Sequence, residues 1–295
     1  MKKGKSKLIE RRNNVGYFFI ALWIIGVIFF FLKPAIQTLI YAFSDVIVKD
    51  NMATTFIGLE NFRKILFEDI DYVRDLTSSL TDMLYEVPII VIFSMFIAGI
   101  LNQEFKGRTF ARVLFFLPVI IASGISIEIL SSNGMSTDVS GKDTVFMFKT
   151  VMLENTLAEI GISSSLVSYF AGLINRIFNI CWKSGIQILL FLAGLQTVPK
   201  SYYEVSSMEG ATAWEEFWKI TFPLLSPYTL VCVVYTIIDS FTYYQNKIMM
   251  LIKTSYDAQK YGYSAAESWL YFIVILVILL LVTKLIFRNV VHIDE

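Results

Sequence analysis

Six apolar runs, each close to the length of a bilayer crossing, constrain this chain more than any other feature. A hydrocarbon core about 30 Å thick needs about 20 apolar residues in helical form. Runs of that kind lie at about 15–43, 80–101, 113–130, 177–197, 224–244 and 268–287. The first is interrupted by Lys33-Pro34, a kink that neighbouring helices can accommodate, with the Lys33 ammonium snorkelling at the outer end. Of the 295 residues, 56% are hydrophobic and 15% aromatic, and the mean hydropathy is +0.62, above the usage of soluble domains. The expectation is an all-α integral membrane protein with six transmembrane helices.

Charge gives these spans a direction. The net charge of +0 conceals a basic start, in which Lys2, Lys3, Lys5, Lys7, Arg11 and Arg12 face one acid, Glu10. Basic flanks stay in the cytoplasm, and a nucleic-acid-binding arm is disfavoured because an apolar span follows at once. Val15–Leu32 exceeds the apolar region of a signal peptide and no small-residue cleavage site follows, so the first span is expected to remain. The segment 44–79 then falls outside, where Asp45, Asp50, Glu60, Glu68, Asp69, Asp71 and Asp75 outnumber Lys49, Arg63, Lys64 and Arg74. The next loop carries Lys106, Arg108 and Arg112 and falls inside. The register holds to the end: 1–14 and 291–295 are cytoplasmic tails, and 15–290 is one membrane domain. Within 146–178 apolar residues recur at helical spacing, but Lys149, Glu154 and Glu159 favour an interfacial helix pair over a seventh span.

One cytoplasmic segment, 199–223, is built differently. Pro199 suits a helix start, 200–208 has room for two turns, and Gly210 can take the left-handed conformation that ends a helix. Thr212 with Glu215 fits a capping box, and Trp214, Phe217, Trp218 and Thr221 follow at helical spacing until Pro223 closes the pattern. Helices so short are marginal in water and need a surface to pack on. The segment carries Glu204, Glu209, Glu215 and Glu216 against Lys200 and Lys219. Anionic headgroups would repel it, so a docking lever between two spans is the better reading than a loop lying on the bilayer.

The run Glu204, Gly210, Ala211, Phe217, Ile220, Pro223, Leu225 and Pro227 resembles the EAA loop of binding-protein-dependent ABC importer permeases. Their pattern reads E-A-A-x-x-x-G-A followed by F, I and P-x-L-x-P. This chain departs from it with Val205 and Ser206 for the alanines and Glu209 for the usual aspartate. The stretches FIGLENF, KGRTFARVLFFLP and FLAGLQTVP extend the resemblance over nearly the whole chain, toward the carbohydrate-uptake, maltose-type branch. The resemblance implies a type I fold with six spans and a cytoplasmic helix–turn–helix coupling loop. It implies a bacterial plasma-membrane subunit forming half of a translocation pathway. The implied partners are a second permease, cytoplasmic ATPase subunits and an external solute-binding protein, and the cargo is a sugar. ATP and magnesium would be held by the partner ATPase and no cofactor by this chain. Glu204, Glu209, Gly210, Ala211, Phe217, Ile220 and Pro223 would then engage the ATPase. A GGP-containing loop, common after the fifth span in this branch, is absent from IIDSFTYYQNKIMMLI, as in a subgroup associated with polysaccharide fragments. A type I permease for a non-sugar solute is the alternative.

Other function classes lack their residues. A membrane-embedded enzyme needs paired carboxylates, a histidine-based metal site or an activated nucleophile. The lone histidine, His292, sits at the tail end, and no G-x-x-x-x-G-K-[ST] phosphate loop is present. A channel or scaffold has no use for an EAA-like loop. Cys181 and Cys232 lie in apolar surroundings and read as small core residues. Asp239 stands inside the fifth span, where a carboxylate is costly and faces protein or a watery path. Two readings are open. Asp239 lines a sugar pathway with Tyr235, Thr242, Tyr243, Tyr244 and, more weakly, Gln187, or it pairs with a polar group on another helix.

Overall fold

The structure, a computed structural model, describes residues 20–47, 53–122, 176–177, 179–243 and 246–287. The basic tail, residues 15–19 and 123–130 of the first and third spans, the segment 146–175, Tyr244 and His292 lie outside the described residues.

Helix α1, Ile20–Ala42, contains a wide π turn at Ile28–Leu32, where the Lys33 N–H reaches the Ile28 carbonyl. The cause is Pro34, which has no N–H and whose ring would strike the carbonyl four residues back in a regular helix. One extra residue in the turn removes the clash and the helix continues to Ala42. A hairpin follows, β1 Ser44–Ile47 antiparallel to β2 Ala53–Phe56, with Ser44 opposite Phe56 and Ile47 opposite Ala53. This hairpin departs from the all-α expectation. Its only deeply buried apolar side chain among the described residues is Val46, on one face.

Helix α2, Glu60–Phe67, leads into α3, Ile70–Asn102. At 33 residues α3 is about 50 Å long, more than a bilayer needs, and it begins well before Leu80. The sequence 70–79 is polar but helix-compatible: Asp69 accepts the Tyr72 backbone N–H at 2.9 Å, and Arg74 bridges Asp71 at 3.0 Å and Asp75 at 3.3 Å. Helix α4 is Arg108–Ala122 and α5 is Gly185–Thr197, preceded by helical residues 179–183 across a turn at Ser184. The remaining elements are α6 Lys200–Met208, α7 Ala213–Leu224, α8 Ser226–Thr242, α9 Lys247–Asp257 and α10 Tyr261–Phe287. Among the described residues α1, α3 and α10 are long and apolar enough to cross a membrane, and α5 is a shorter apolar helix.

The chain divides into two units, 1–80 with 242–278 and 81–241 with 279–295. The first is held by polar contacts where helices end. Asn61 Nδ2 donates to the Ala42 and Ser44 carbonyls at 3.1 and 3.2 Å, satisfying groups that the end of α1 leaves unpaired. Tyr72 Oη donates to the Glu267 carbonyl at 3.1 Å and Tyr263 Oη to Asp69 Oδ2 at 2.8 Å. Gly262 meets the chain so closely that a Cβ there would lie 2.1 Å from the Ser44 carbonyl oxygen.

In the second unit α5 packs on α8. Gln187 Nε2 donates to Thr236 Oγ1 at 3.0 Å between two fully buried side chains, and Gly194 lets the Tyr228 ring approach to 2.7 Å of where a Cβ would stand. Small residues permit such close helix contacts in membranes. Around them Ile188, Phe191, Leu225, Cys232, Ile237 and Phe241 are almost wholly buried, which fits the core role expected for Cys232.

Two alanine substitutions separate close approach from helix propensity. Gly262→Ala forces a methyl against backbone and should lower stability by about 1–3 kcal/mol or more. Gly99→Ala, in α3 where nothing lies within 4 Å of the added Cβ, should leave stability unchanged or raise it by up to about 1 kcal/mol. Thermal unfolding of the purified protein in detergent measures both.

Candidate functional site

The segment from Pro199 to Leu225 folds into a compact unit whose parts follow from the local sequence. Pro199, extended at φ −62° and ψ 135°, precedes α6. At the other end of α6, Gly210 takes φ +78° and the Ala211 N–H reaches back to the Ser206 carbonyl at 3.0 Å, while the Gly210 N–H reaches Ser207 at 3.2 Å. This pair of bonds is the Schellman ending, which needs a left-handed residue and so a glycine. Two residues on, Thr212 caps α7. The Glu215 N–H donates to Thr212 Oγ1 at 3.4 Å, and the Thr212 N–H and hydroxyl both donate to Glu215 Oε2 at 3.1 Å.

Side chains then clasp the two helices. Ser206 Oγ donates to Glu216 Oε1 at 2.5 Å, and Tyr203 Oη and Thr221 Oγ1 lie 3.0 Å apart. Phe217 stacks on Phe96 of α3, with ring centroids 5.8 Å apart and planes 19° apart. Helix α7 closes at Leu224, one residue after Pro223. Its Phe217–Thr221 stretch is a π turn, with the Phe222 N–H on the Phe217 carbonyl, and α8 begins after Leu225. The same device precedes Pro34, and for the same steric reason. The link from α7 to α8 is a turn at Leu225, across which the helices are bent by 68°.

Charge in this unit is sorted. The Thr212 backbone N–H, then its hydroxyl, then Lys219 Nζ at 3.3 Å hold the Glu215 carboxyl below the usual carboxylate range. A lowered folded pKa means this cap contributes above the unfolded carboxylate pKa and is lost as pH falls through the folded one. Glu216 turns inward to Ser206. Glu204 and Glu209 remain exposed on α6 and its end. Of the other residues singled out in sequence, Gly210 and Ala211 form the turn, Ile220 is half-buried, Phe217 packs inward and Pro223 lies at the end of α7.

The polar residues of α5, α8 and their neighbours fall into two groups. Gln187 is fully buried on Thr236, and Cys232 Sγ sits 3.8 Å from the Gln187 carbonyl. Asp239 has Lys183 and Glu86 as its charged neighbours. Lys183 Nζ is 2.9 and 3.1 Å from the two Glu86 carboxylate oxygens, with the Lys183 side chain 13% exposed and Glu86 39%. Three helical segments thus bring two carboxylates and one ammonium together. Glu86 and Lys183 were legible as charges inside apolar stretches, DMLYEVPII and CWKSG, the same signal that drew attention to Asp239. Tyr235 and Tyr243 are half-buried, and Thr242 is exposed. Among the described residues no group of three or more His, Cys, Asp or Glu side chains could hold a metal ion.

The family of binding-protein-dependent transport system inner membrane components matches residues 71–294, which contain all of these features. The chain belongs to this family. The permease is 30% identical to the probable ABC transporter permease protein YesP of Bacillus subtilis, over 97% of this chain and 93% of that one. It is 28% identical to the arabinooligosaccharides transport system permease protein AraP of Halalkalibacterium halodurans, over 80% and 71%. It is 26% identical to the trehalose/maltose transport system permease protein MalF of Thermococcus litoralis, over 92% and 93%. A chain from the crystal structure of a bacterial alginate ABC transporter, in complex with an alginate pentasaccharide-bound periplasmic protein, superposes with a TM-score of 0.63. Identity there is 19% over 92% of this chain and 93% of that one, a likeness of fold. The permease is accordingly a non-catalytic membrane subunit of an importer, and membership implies an ATPase and a solute-binding protein as partners.

The charged cluster generates a prediction. Lys183→Met leaves Glu86 without its ion-pair partner and should destabilise the permease by about 1–3 kcal/mol. Adding Glu86→Gln should recover part of that loss. Melting temperatures of the three proteins in detergent test it, and equal values for wild type and Lys183→Met would remove the cluster's structural role.

Proposed function

We propose that this permease is one half of the translocation pathway of an ATP-driven sugar importer and takes oligosaccharides or polysaccharide fragments from an external binding protein. It crosses the bacterial plasma membrane six times with both termini in the cytoplasm, pairs with a second permease, and holds no cofactor, ATP and magnesium being bound by the ATPase. The names of the relatives, arabinooligosaccharides for one and trehalose/maltose for another, support the substrate class. Asp239 either lines the pathway, with Tyr235, Thr242, Tyr243, Tyr244 and Gln187 as further candidates, or pairs with polar groups of other helices, and a neutral sugar, which gives no reason for a full charge, favours the pairing.

The observation that carries the mechanism is the clasped pair α6 and α7. Glu204, Glu209, Gly210, Ala211, Phe217, Ile220 and Pro223 form the coupling element, 199–223. Glu204 and Glu209 offer a basic groove of the ATPase two exposed carboxylates, and Phe217 and Ile220 fasten the element to the membrane helices. When ATP closes the ATPase pair, the docked α6 moves. The displacement reaches the fifth span through the short turn at Leu225, whose N–H bonds the Thr221 carbonyl at 3.0 Å and whose carbonyl takes the Thr229 N–H at 2.8 Å.

Glu204→Ala should weaken binding-protein-stimulated ATPase activity and uptake by removing a charge-assisted contact of about 1.5–3 kcal/mol. Gly210→Pro should abolish both, because proline fixes φ near −65° where +78° is required, while the permease still inserts. Reconstituted ATPase activity with and without loaded binding protein, with pull-down of the ATPase, is the measurement. Full stimulated activity in both variants would reduce 199–223 to a surface loop, and labelling of a cysteine at Ser207 from outside the cell would reverse the orientation.

A further inference from the structure

The second helix of the coupling element has a face that the coupling role leaves without a task. Trp214, Trp218 and Phe222, spaced four residues apart, are 67%, 42% and 38% exposed. They touch in series: Trp214 and Trp218 ring centroids are 5.6 Å apart, and Trp218 and Phe222 are 5.2 Å apart. The opposite face of α7 is occupied by the Glu216–Ser206 and Thr221–Tyr203 contacts and by Phe217 on Phe96.

Position identifies what covers the ladder. Phe96 lies six residues before Asn102, about 9 Å from the end of α3, within the apolar run of that helix. It belongs to a stripe of exposed side chains, Ile89, Ile92, Phe96 and Ile100, along one face of a helix long and apolar enough to cross a membrane. Phe217 stacks on this stripe and meets Trp218 edge-on at 5.2 Å. The aromatic ladder therefore continues this exposed apolar stripe close to the end of α3. Tryptophan, apolar in body and polar at one edge, is the residue that settles at a membrane–water interface. The charge objection to a membrane contact disappears on α7, since Glu215 is taken up by Thr212 and Lys219 and Glu216 by Ser206, leaving the exposed acids on α6.

We propose that α7 is an interfacial anchor: Trp214, Trp218 and Phe222 seat in the headgroup layer of the leaflet at the α3 C-terminal end and fix the height at which α6 meets the ATPase. The use of that height rests on the coupling role given above, whereas the anchor itself does not. The two helices divide their partners, α6 facing protein and α7 facing lipid.

The test uses the whole importer, with Trp23→Phe, Trp182→Phe and Trp269→Phe so that Trp214 and Trp218 are the remaining indoles of the permease's five and with tryptophan-free versions of the partner subunits. It is reconstituted in phosphatidylethanolamine–phosphatidylglycerol vesicles. Lipids brominated close to the headgroup should extinguish most of the emission, lipids brominated at the chain ends little of it, and aqueous iodide little of it with or without the ATPase. Strong iodide quenching without lipid quenching would overturn the anchor. If addition of the ATPase relieves that iodide quenching, the face docks the ATPase instead. Failure of coupling alone reads differently: Glu204→Ala would leave stimulated ATPase activity intact while the lipid quenching persists.

Discussion

In hydrocarbon an amide N–H or carbonyl finds no water, so every backbone group that helix geometry leaves unpaired must be met by protein. That constraint arranges the permease. Where α1 ends, Asn61 supplies donors to the Ala42 and Ser44 carbonyls. Where α3 ends, Arg112 Nη2 donates to the Leu101 carbonyl at 3.0 Å. At Pro34 and at Pro223 the chain widens into a π turn, whereas Pro88 sits within the regular helix α3.

The tight turn at Leu225 between α7 and α8 would give the proposed coupling element its mechanical character. A loop at Pro223 would dissipate a push in its own backbone freedom. A one-residue hydrogen-bonded turn, following a helix clasped to α6 by Ser206–Glu216 and Tyr203–Thr221, would move with it. The Schellman ending at Gly210 and the capping box at Thr212 then act as the hinge pins of a rigid bracket, each specified by one residue type.

Much of this was legible in sequence because it depends on local rules. Gly210, Thr212 with Glu215, and the limits of α6 all follow from short-range chemistry, and the structure places them where that chemistry requires. Pro223 marked the helix end to within one residue, at Leu224, whereas nothing within the sequence FWKITFP announces the π turn before it. The start of α3 at Ile70 was hidden because an acidic stretch suggests a loop, whereas Asp69, Asp71, Arg74 and Asp75 pair along a helix. The hairpin at 44–56 and the Glu86–Lys183 bridge depend on contacts between residues distant in sequence or on neighbouring helices, which a one-dimensional pattern does not carry. Membership of the family was readable from the Glu204–Pro227 run. The division of charge between α6 and α7 was not, since all four glutamates look alike until Glu215 and Glu216 are seen to be engaged.

Rigidity of the bracket through the transport cycle is the claim on which the account turns. Spin labels on Ser207→Cys in α6 and Lys219→Cys in α7, with Cys181 and Cys232 replaced by alanine, report their separation by pulsed electron resonance in the reconstituted importer. A single narrow distance distribution, unchanged among nucleotide-free, ATP-bound and post-hydrolysis states, is the expected result. A distribution that broadens or shifts when ATP binds would show that the two helices part, and a bracket that opens cannot carry the motion to α8.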